Sequence, residues 1–369
     1  PACATTLSHL APELRLAVPP SPDTVHQVLA SPAGRRALGL KFIAEDRAAQ
    51  APTLANIEIT TRCTLGCPAC ARSRDRVKSR HMPRASFERI LAALPHALRV
   101  TLVGLGEPLL HPEIVDFVGL AVAAGRHVEL VTSAMALDTA MGKQLCSAGL
   151  AGITFSLDAV SPEVVARVRP GSDMTRIAAN LQGFMAYCRT LPQPPDTAVF
   201  TALRHDTVGE LQAIVDFTAN LGIGALMLSD LNFASNRSTA LHGRCDATVA
   251  ASLRAALRHA ARRSLPVYSV HGLEEYDLPR RHLDYLVLRG EHLAERSAQH
   301  THCFSPWQTA SVSVDGNLAF CDCQPEMLVG DLLGEAPVDA LWNAPTMRAQ
   351  RQRMRSATPP PACLACPRF

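Results

Sequence analysis

The sequence of 369 residues lacks several features that would assign it to a broad class of protein. It has no apolar run near the ~20 residues that a membrane-spanning helix requires. Its net charge is only +3, which gives no reason to expect nucleic acid or an anionic membrane as a partner. Its first residues, PACATTLSHLAPELR, contain neither the charged head nor the apolar stretch of a secretory signal. We therefore expect a cytoplasmic protein.

Cysteine, by contrast, is abundant, with 12 residues. Disulfides are rare in the cytoplasm, where clustered cysteines more often bind metals or carry redox chemistry. Three of the cysteines lie at positions 63–70 and five at positions 303–366. We expect the four isolated ones to be small buried hydrophobic residues or incidental thiols. These are Cys3, Cys146, Cys188 and Cys245.

Short apolar runs separated by segments with helical spacing predict a parallel sheet covered by helices. The runs are Ile57–Thr61, Arg99–Val103, His127–Val131, Gly152–Leu157, Ala198–Leu203 and Ala225–Leu231. One apolar helix face is predicted from Ile114, Phe117, Val118, Ala121 and Val122, and helix-ending glycines from Gly125, Gly149 and Gly222. Six β/α units in series predict an α/β fold, a partial (β/α)6 TIM-like barrel. Its chemistry should lie at the carboxyl ends of the strands.

Four regions follow from this pattern. Residues 1–51 are predicted to be an N-terminal helical extension, with helices near Pro22–Leu29 and from Ala33 to Glu45. Residues 52–233 form the barrel, and residues 234–300 form a helical bridge whose clearest helix spans 249–263. In residues 301–369 the Asp315-Gly316 pair predicts a β-hairpin, and LWNAPTMRAQRQRM predicts one helix.

The first cysteine group, Cys63, Cys67 and Cys70, has C-x3-C-x2-C spacing directly after the first predicted strand. Three thiolates are one fewer than a structural metal site normally uses. A zinc ion would need a fourth ligand, and His81 is the nearest histidine downstream. A [4Fe–4S] cluster held by three thiolates would leave one iron open. Spacing alone leaves both possibilities open.

Two further motifs give the chain a family resemblance. GLGEPLLHP (104–112) follows the second predicted strand, and SLDA (156–159) ends the fourth. With the three cysteines, these motifs make residues 52–233 resemble the radical S-adenosylmethionine (SAM) superfamily. Two departures concern the adenosine contacts that the family usually makes. Ala69 stands where an aromatic residue is common, and Thr132-Ser133-Ala134 replaces Thr-Asn-Gly.

The resemblance implies that the open iron of a [4Fe–4S] cluster chelates the amino and carboxylate groups of SAM. One electron, from a flavodoxin- or ferredoxin-type donor, would then cleave SAM to methionine and a 5′-deoxyadenosyl radical. That radical would remove a hydrogen atom from the substrate. In such an enzyme the cofactor carries the difficult chemistry, while the barrel orients the reactants and excludes water.

The second motif supplies three candidate SAM-binding residues. By the resemblance, Gly104 and Gly106 allow the backbone to approach the methionine end of SAM. Glu107 is placed to accept a hydrogen bond from the SAM ammonium. Its alternative role is that of a carboxylate at the start of a helix, before Pro108.

Three more candidates end later strands. Thr132 and Ser156 are placed to bond the ribose hydroxyls or the methionine carboxylate of SAM, or they have simple turn roles. Arg204 is placed to pair with the carboxylate of SAM or of the substrate. A solvated surface position is the alternative for this arginine.

The second cysteine group contains Cys303, Cys321, Cys363 and Cys366, a 2 + 2 pattern that suits zinc or a [4Fe–4S] cluster. Beside such a barrel it resembles the SPASM/twitch extensions of the superfamily, which hold auxiliary clusters. The number of cysteines predicts the shorter twitch form with one auxiliary [4Fe–4S] cluster. Four thiolates would make that cluster an electron conduit or a structural staple. Cys323 is left as an inert thiol, an alternative ligand or a hydrogen-atom donor.

The reaction is predicted from the auxiliary cluster and from the resemblance. A fully ligated auxiliary cluster could accept the second electron of a substrate radical, which favours net oxidation. The resemblance includes an amino-cyclitol alcohol dehydrogenase of antibiotic biosynthesis, and we expect a small polar metabolite such as a sugar, cyclitol or nucleoside. The alternatives are redox-neutral decarboxylation, dehydration or epimerisation, and modification of a ribosomal peptide. In a different class of function, both cysteine groups would hold structural metals in a non-catalytic binding protein.

Overall fold

The computed structural model describes residues 51–230, 247–269, 305–321, 324–354, 360 and 363. The helices predicted near Pro22–Leu29 and Ala33–Glu45 lie outside these residues. The strands are β1 Leu54–Ile57, β2 Arg99–Leu102, β3 His127–Thr132, β4 Gly152–Ser156, β5 Asp196–Leu203, β6 Ala225–Asp230, β7 Val267–Ser269, β8 Thr309–Val312, β9 Asn317–Cys321 and β10 Gln324–Asp331.

Helices connect most of these strands. They are α1 Ala71–Arg74, α2 Arg84–Ala93, α3 Ile114–Ala123, α4 Thr139–Ser147, α5 Pro162–Val168, α6 Met174–Cys188, α7 Leu211–Leu221, α8 Ala247–Arg262, α9 Ser305–Gln308, α10 Val338–Trp342 and α11 Pro345–Met354. Short 3₁₀ turns cover Pro108–Leu110 and Val208–Glu210. Among the described residues, no helix has both the length and the apolarity needed to cross a bilayer.

The strands form one sheet in the order β10-β9-β8-β1-β2-β3-β4-β5-β6-β7. Strands β1 to β7 run parallel, each paired with the next along the chain. This succession of β/α units confirms the predicted partial barrel. The carboxyl ends of its strands therefore share one edge, where a parallel barrel places its functional loops.

The helices bury apolar faces against this sheet. On α3 the buried residues are Ile114, Phe117, Val118 and Ala121, as the helical spacing predicts. Phe117 stacks on Phe87 of α2 with ring centroids 4.2 Å apart. Gly222 ends α7 with a φ of +72°, a left-handed conformation that costs glycine little. Apolar periodicity and helix-ending glycines thus account for this part of the fold.

The first strand differs from its prediction. The sequence predicts it over Ile57–Thr61, but the sheet contains only Leu54–Ile57. The residues that follow pair with a different segment. Met82 N–H donates to the Ile59 carbonyl at 2.8 Å, and Thr60 forms an antiparallel bridge with His81. The residues of the alternating pattern are therefore extended, but those after Ile57 pair with the segment at His81 and Met82 instead of lengthening β1 in the sheet.

The bridge region contributes to the sheet as well. Helix α8 matches the helix predicted at 249–263. Strand β7 follows it and pairs with β6, with Val267 opposite Leu226. A strand of three residues is too short to give a recognisable alternation, so the sequence did not predict it.

The C-terminal hairpin is present and joined to the barrel. Strands β8 and β9 are antiparallel, and Gly316 in their turn has a φ of +84°. Strand β8 also pairs in parallel with β1, with Leu54 opposite Thr309 and Ile57 opposite Val312. All four β8 residues are buried. The hairpin of the C-terminal region is therefore present as predicted, and it is also paired with the barrel sheet through β1.

The single helix predicted for LWNAPTMRAQRQRM is two helices, α10 and α11. They are separated at Asn343-Ala344 because the residue before Pro345 disfavours helical geometry. Fully buried Arg351 of α11 fixes the pair. Its Nε donates to the Pro306 carbonyl at 2.8 Å, and its guanidinium lies 4.9 Å from the centre of the Trp342 ring. This arginine thus connects both helices to the segment that enters β8.

We expect Arg351→Met to lower the free energy of unfolding by about 1–3 kcal/mol, because the Pro306 carbonyl loses its buried donor. Arg353→Met is the matched control, since Arg353 is exposed on the same helix and should change stability by less than about 0.5 kcal/mol. Urea unfolding of the anaerobically purified protein measures both. An unchanged or higher midpoint for Arg351→Met would show that burying this charge costs more than its contacts contribute.

Candidate functional site

The first three cysteines lie in the loop 62–70 at the carboxyl end of β1, and a single arginine organises this loop. The Nε atom of Arg72 donates to the Thr61 carbonyl at 2.8 Å. Its terminal nitrogens donate to the carbonyls of Cys63 at 3.0 Å and Leu65 at 3.3 Å. A guanidinium has five donors in a fixed fork and can therefore satisfy all three carbonyls at once. The loop is therefore held in shape by protein contacts.

The start and the middle of the loop are also anchored to neighbouring segments. The Thr61 hydroxyl donates to the Lys78 carbonyl at 2.7 Å and accepts from Arg80 N–H at 3.0 Å. At the middle of the loop, Gly66 N–H donates to the Pro170 carbonyl at 2.8 Å. These contacts fix the cysteine loop between the segment that follows it and the turn after α5.

The thiols of Cys63, Cys67 and Cys70 are free and half-buried. Burial raises the pKa of Cys63 and of Cys67, and the nearby Arg169 charge opposes this effect at Cys67. The Leu65 N–H donates to the Cys63 sulfur at 3.4 Å. Backbone donors of this kind also tune the sulfurs of iron–sulfur clusters.

His81 does not join the cysteines. Its ring lies 5.1 Å from that of His111, edge to face, and His111 packs on Phe117 of α3. The Nε2 atom of His111 is 3.0 Å from the Met82 carbonyl oxygen. In the described part of the chain, no three side chains of His, Cys, Asp or Glu converge as they would around a single ion.

Glu107 lies buried beside this loop and accepts four hydrogen bonds. Oε1 accepts from the Thr132 hydroxyl at 2.6 Å and from Leu109 N–H at 3.2 Å. Oε2 accepts from the Ser133 N–H at 2.8 Å and its hydroxyl at 2.6 Å. These bonds occupy the four lone-pair sites of a carboxylate. Glu107 therefore ties the loop after β2 to the end of β3, and it also starts the 3₁₀ turn at Pro108.

The two glycines of this motif are required by the protein's own packing. A Cβ atom at Gly106 would lie 2.1 Å from the Thr60 carbonyl oxygen, and one at Gly104 would lie 2.4 Å from the Glu58 side chain. The sequence predicted close approach to SAM at these positions. The structure gives a reason that needs no ligand, because the loops after β1 and β2 touch here.

Glu58 connects this region to the C-terminal hairpin. Oε1 accepts from Leu105 N–H at 2.6 Å, and Oε2 accepts from Val314 N–H at 3.4 Å. Burial raises the pKa of Glu58, and the two backbone donors and Arg80 oppose this. Arg80 also forms an ion pair with Asp315 at 2.9 Å. Sequence reasoning missed this residue, since an acidic residue in an extended run has no distinguishing signal.

A second residue that sequence reasoning missed is Arg169. Its Nε donates to Asp158 Oδ2 at 2.8 Å, and both side chains are largely buried. Asp158 also accepts from Ala202 N–H at 2.9 Å. Burial lowers the pKa of Arg169, but the charges of Asp158 and Cys67 outweigh it and raise the pKa overall. No described residue accepts from the two terminal nitrogens of Arg169. The SLDA motif contains its partner Asp158 and was the available signal.

The other predicted SAM-binding residues have separate surroundings. Thr132 is bonded to Glu107, as described, and Ser156 is half-buried at the end of β4. The side chain of Arg204 is 4% exposed and makes two bonds to Asp206, at 2.8 and 2.7 Å. The solvated surface position considered for Arg204 is therefore wrong. Hydrogen bonding from Arg204 lowers the pKa of Asp206.

The second cysteine group is only partly described. Cys321 ends β9, and Cys363 follows α11, and both are half-buried. Cys303, Cys323 and Cys366 lie outside the described residues. The predicted four-thiolate site, and the role of Cys323, thus stay predictions.

The isolated cysteines can be compared with their prediction at two positions. Cys188 is buried and Cys146 is half-buried, so both pack as expected for small apolar residues. Interaction with the neighbouring Cys146 thiol, together with burial, raises the pKa of Cys188. Cys3 and Cys245 lie outside the described residues.

The residues present fit an iron–sulfur cluster with one open iron. Three half-buried thiols on a loop held by protein contacts are soft ligands suited to such a cluster. A buried arginine with two unused nitrogens lies within electrostatic reach of Cys67 and can pair with a carboxylate. SAM offers that carboxylate.

Comparisons with known families agree with this donor set. A model described as the radical SAM superfamily matches residues 57–218, and a model described as the SPASM iron–sulfur cluster-binding domain matches residues 303–367. Residues 57–218 thus match the radical SAM superfamily, and the SPASM match follows them in the C-terminal region. Members of this family are enzymes that use SAM and a [4Fe–4S] cluster, and SPASM domains hold auxiliary iron–sulfur clusters.

Individual relatives match parts of the chain. The tungsten-containing aldehyde ferredoxin oxidoreductase cofactor-modifying protein of Pyrococcus furiosus is 26% identical over 47% of this chain and 50% of its own length. The PqqA peptide cyclase of Streptomyces rochei is 28% identical over 59% of each chain. The chain thus spans about half to three-fifths of these relatives.

The fold is shared with Streptococcus suis SuiB bound to S-adenosylmethionine. The two structures align with a TM-score of 0.66 at 15% sequence identity. The alignment covers 98% of this chain and 80% of SuiB. At this identity the likeness concerns the fold.

The contact at Gly106 gives a direct test of the site. We expect Gly106→Ala to lower the free energy of unfolding by about 1–3 kcal/mol, because its methyl group overlaps a backbone carbonyl. Gly119→Ala is the control, since a Cβ there meets nothing within 4 Å in the middle of α3 and should stabilise the helix by about 0.5–1 kcal/mol. Urea unfolding and iron content are the measurements. Equal behaviour of the two variants would contradict the close loop packing.

Proposed function

We propose that this protein is a radical SAM enzyme that cleaves SAM reductively and uses the resulting radical to oxidise an organic substrate. The main supporting observation is the half-buried trio of thiols held at the carboxyl end of β1, beside buried Arg169. When bound there, a [4Fe–4S] cluster supplies the single electron that SAM cleavage requires. The non-catalytic alternative, in which both cysteine groups hold structural metals, does not explain why the first group has three thiolates and leaves one coordination position open.

The protein's own residues have distinct roles in this proposal. Cys63, Cys67 and Cys70 hold the cluster. Arg169 binds the carboxylate of SAM, with Asp158 fixing its orientation. Glu107 has no free lone pair for the SAM ammonium, so we assign it a positioning role, and the ammonium is left to backbone carbonyls of the loop after β2. Gly104 and Gly106 permit that loop to lie close to the cysteine loop.

One of the predicted contacts, Ser156, remains a candidate for the rest of SAM. Ser156 ends β4 at the edge of the sheet that carries the site, so its hydroxyl is placed for a ribose or carboxylate contact. Thr132 donates to Glu107 and accepts from Ala134 N–H at 3.0 Å. We therefore assign Thr132, like Glu107, to positioning. Arg204 is occupied by Asp206 and has no assigned SAM contact.

For the auxiliary cluster we retain the proposal of four thiolates, from Cys303, Cys321, Cys363 and Cys366, in a twitch form with one [4Fe–4S] cluster. Ala319 of β9 lies opposite Ser311 of β8, and β9 then runs away from the edge that carries the site. Cys321, two residues further along β9, therefore lies away from the carboxyl ends of the barrel strands. That position supports an electron acceptor or a structural staple over a substrate ligand, and it is consistent with net oxidation.

The substrate class has two candidates. The similarity to a PqqA peptide cyclase supports a peptide, whose modification by this chain was an alternative at the outset. The similarity to a cofactor-modifying protein supports a small molecule, in line with the expected sugar, cyclitol or nucleoside. Redox-neutral decarboxylation, dehydration or epimerisation remain the alternatives to oxidation.

The first test concerns the cluster. The anaerobically reconstituted protein should contain about eight irons and release 5′-deoxyadenosine and methionine from SAM when dithionite is added. Cys67→Ser should contain about four irons and release neither product. Cys146→Ser replaces a cysteine outside both groups and should retain the iron and the activity. A wild-type protein that binds zinc alone and leaves SAM intact would refute the proposal.

The second test concerns Arg169. Arg169→Met should weaken SAM binding by roughly ten- to a hundredfold, because the carboxylate loses a charged hydrogen-bonding partner worth about 1.5–3 kcal/mol. Arg167→Met is the control, since Arg167 is exposed on α5 and should bind SAM normally. Equilibrium binding to the reconstituted, unreduced protein separates affinity from turnover. Equal affinities for the two variants would remove Arg169 from the SAM site.

A third experiment distinguishes the substrate classes. Bacteria are grown in deuterated medium, and their extract is separated into a peptide fraction and a small-metabolite fraction. Each fraction is then incubated with the reduced protein and SAM. The fraction that contains the substrate should pass deuterium to 5′-deoxyadenosine, which mass spectrometry detects. Transfer from the peptide fraction alone would reject the small metabolite, and transfer from the metabolite fraction alone would reject the peptide.

A further inference from the structure

A concentration of positive charge surrounds the cysteine loop. Residues 62–84 contain seven lysines and arginines but only one acidic residue, Asp75, whereas the whole chain is almost balanced at 36 basic and 33 acidic residues. This asymmetry exceeds what the loop needs for its own structure. The structure describes the side chains of six of these seven basic residues.

Several of these charges have internal partners. Arg72 is used by the carbonyls of the cysteine loop, and Arg84 pairs with Glu88 on the surface of α2. Arg80 pairs with Asp315 of the hairpin turn. These three arginines are therefore explained by the fold.

Three others point to the solvent. Arg62, Arg76 and Lys78 are exposed, and within the described part of the chain none of them forms an ion pair. The hydrogen bond from Thr61 to the Lys78 carbonyl holds Lys78 next to the start of the cysteine loop, where Arg62 precedes Cys63. We call Arg62, Arg76 and Lys78 the basic rim.

The turn that carries Arg76 and Lys78 of the basic rim is well defined. Asp75 N–H donates to the Ala71 carbonyl at 2.8 Å, and Val77 N–H donates to the Arg72 carbonyl at 3.2 Å. Arg76 has a φ of +48°, an uncommon left-handed conformation for a residue other than glycine. The charges are thus presented on a fixed turn beside the cluster-binding loop.

We propose that the basic rim is the docking surface for an acidic protein that donates one electron to the cluster. The inference rests on the proposed function, since only SAM cleavage requires that electron. In each transfer the donor's redox centre loses one electron and the cluster gains it. A surface beside the loop brings the two centres close, and its charge attracts a partner of opposite sign and orients it.

The alternative role of the rim is recognition of an acidic peptide substrate. The two roles predict different results, because a chemical reductant such as dithionite needs no docking surface. Cleavage of SAM by dithionite without substrate tests the cluster and the SAM site alone. Cleavage with a protein donor also tests the docking surface.

The test uses the double variant Arg76→Glu/Lys78→Glu in the full reconstituted enzyme. A recombinant acidic flavodoxin, with its reductase and NADPH, serves as the donor. The matched control is Arg258→Glu/Arg262→Glu, which makes the same change in net charge on exposed positions of α8. Those positions lie toward the end of α8 that leads into β7, at the opposite end of the strands from the cysteine loop.

With flavodoxin at low salt, we expect the rim variant to release 5′-deoxyadenosine about tenfold more slowly than the wild type and the control variant. Near 0.5 M salt, where screening shortens electrostatic interactions to a few ångströms, the difference should fall to about twofold. With dithionite all three proteins should be equally active. Equal rates for all three with flavodoxin at low salt would overturn the proposal.

The other outcomes are equally distinct. A rim variant that also fails with dithionite would show that these residues serve the cluster or the SAM site, which contradicts a docking role. A variant that cleaves SAM normally with both reductants but no longer modifies its substrate would assign the rim to substrate recognition and likewise refute the proposal. Failure of the wild type with dithionite would refute the proposed function itself.

Discussion

The close contact between the loops after β1 and β2 is the constraint on which the site depends. The backbone at Gly106 lies so near the Thr60 carbonyl that no side chain fits between them. One residue further on, Glu107 N–H donates to the Arg62 carbonyl at 2.8 Å. The residue that precedes Cys63 and the residue that binds the end of β3 are thereby fixed relative to each other. A shift of either loop would therefore move the cysteine loop and the loop after β2 together.

Polar groups rather than apolar contacts hold this region, and the reason is its place in the fold. Loops at the strand ends cannot satisfy their backbone groups within the sheet, so each needs another partner. Arg72 donates to three carbonyls in and just before the cysteine loop. Glu107 accepts from the Thr132 and Ser133 hydroxyls at the end of β3. Ligands held in this manner lose little freedom when a cluster binds, which favours a defined geometry around the open iron.

The sequence predicts those features that depend on local patterns. The strands β2 to β6, the apolar face of α3 and the hairpin turn at Gly316 all follow from periodicity or turn chemistry within a few residues. The cysteine spacing is local too, which is why the first cluster site is recognisable. The displaced start of β1 shows the limit of such reasoning, because alternation cannot tell which segment a strand will pair with.

The features that the sequence does not predict are contacts between distant residues. The bond from Glu58 to Val314 spans most of the chain, and the parallel pairing of β8 with β1 is equally remote. Arg169 is near Cys67 only because the turn after α5 packs on the cysteine loop through Pro170. No periodicity encodes these contacts, since each depends on the completed barrel.

The link through Glu58 has a further consequence for the two cysteine groups. Strand β8 is bonded to β1, and Glu58 accepts hydrogen bonds from the loop after β2 and from the hairpin turn at Val314. The hairpin that ends at Cys321 therefore cannot move independently of the loop that contains Glu107. A sheet shared by both parts keeps Cys321 at a fixed separation from the cysteine loop. Transfer of an electron between two clusters depends steeply on their separation, so a shared sheet suits an auxiliary cluster that accepts electrons better than a flexibly linked domain would.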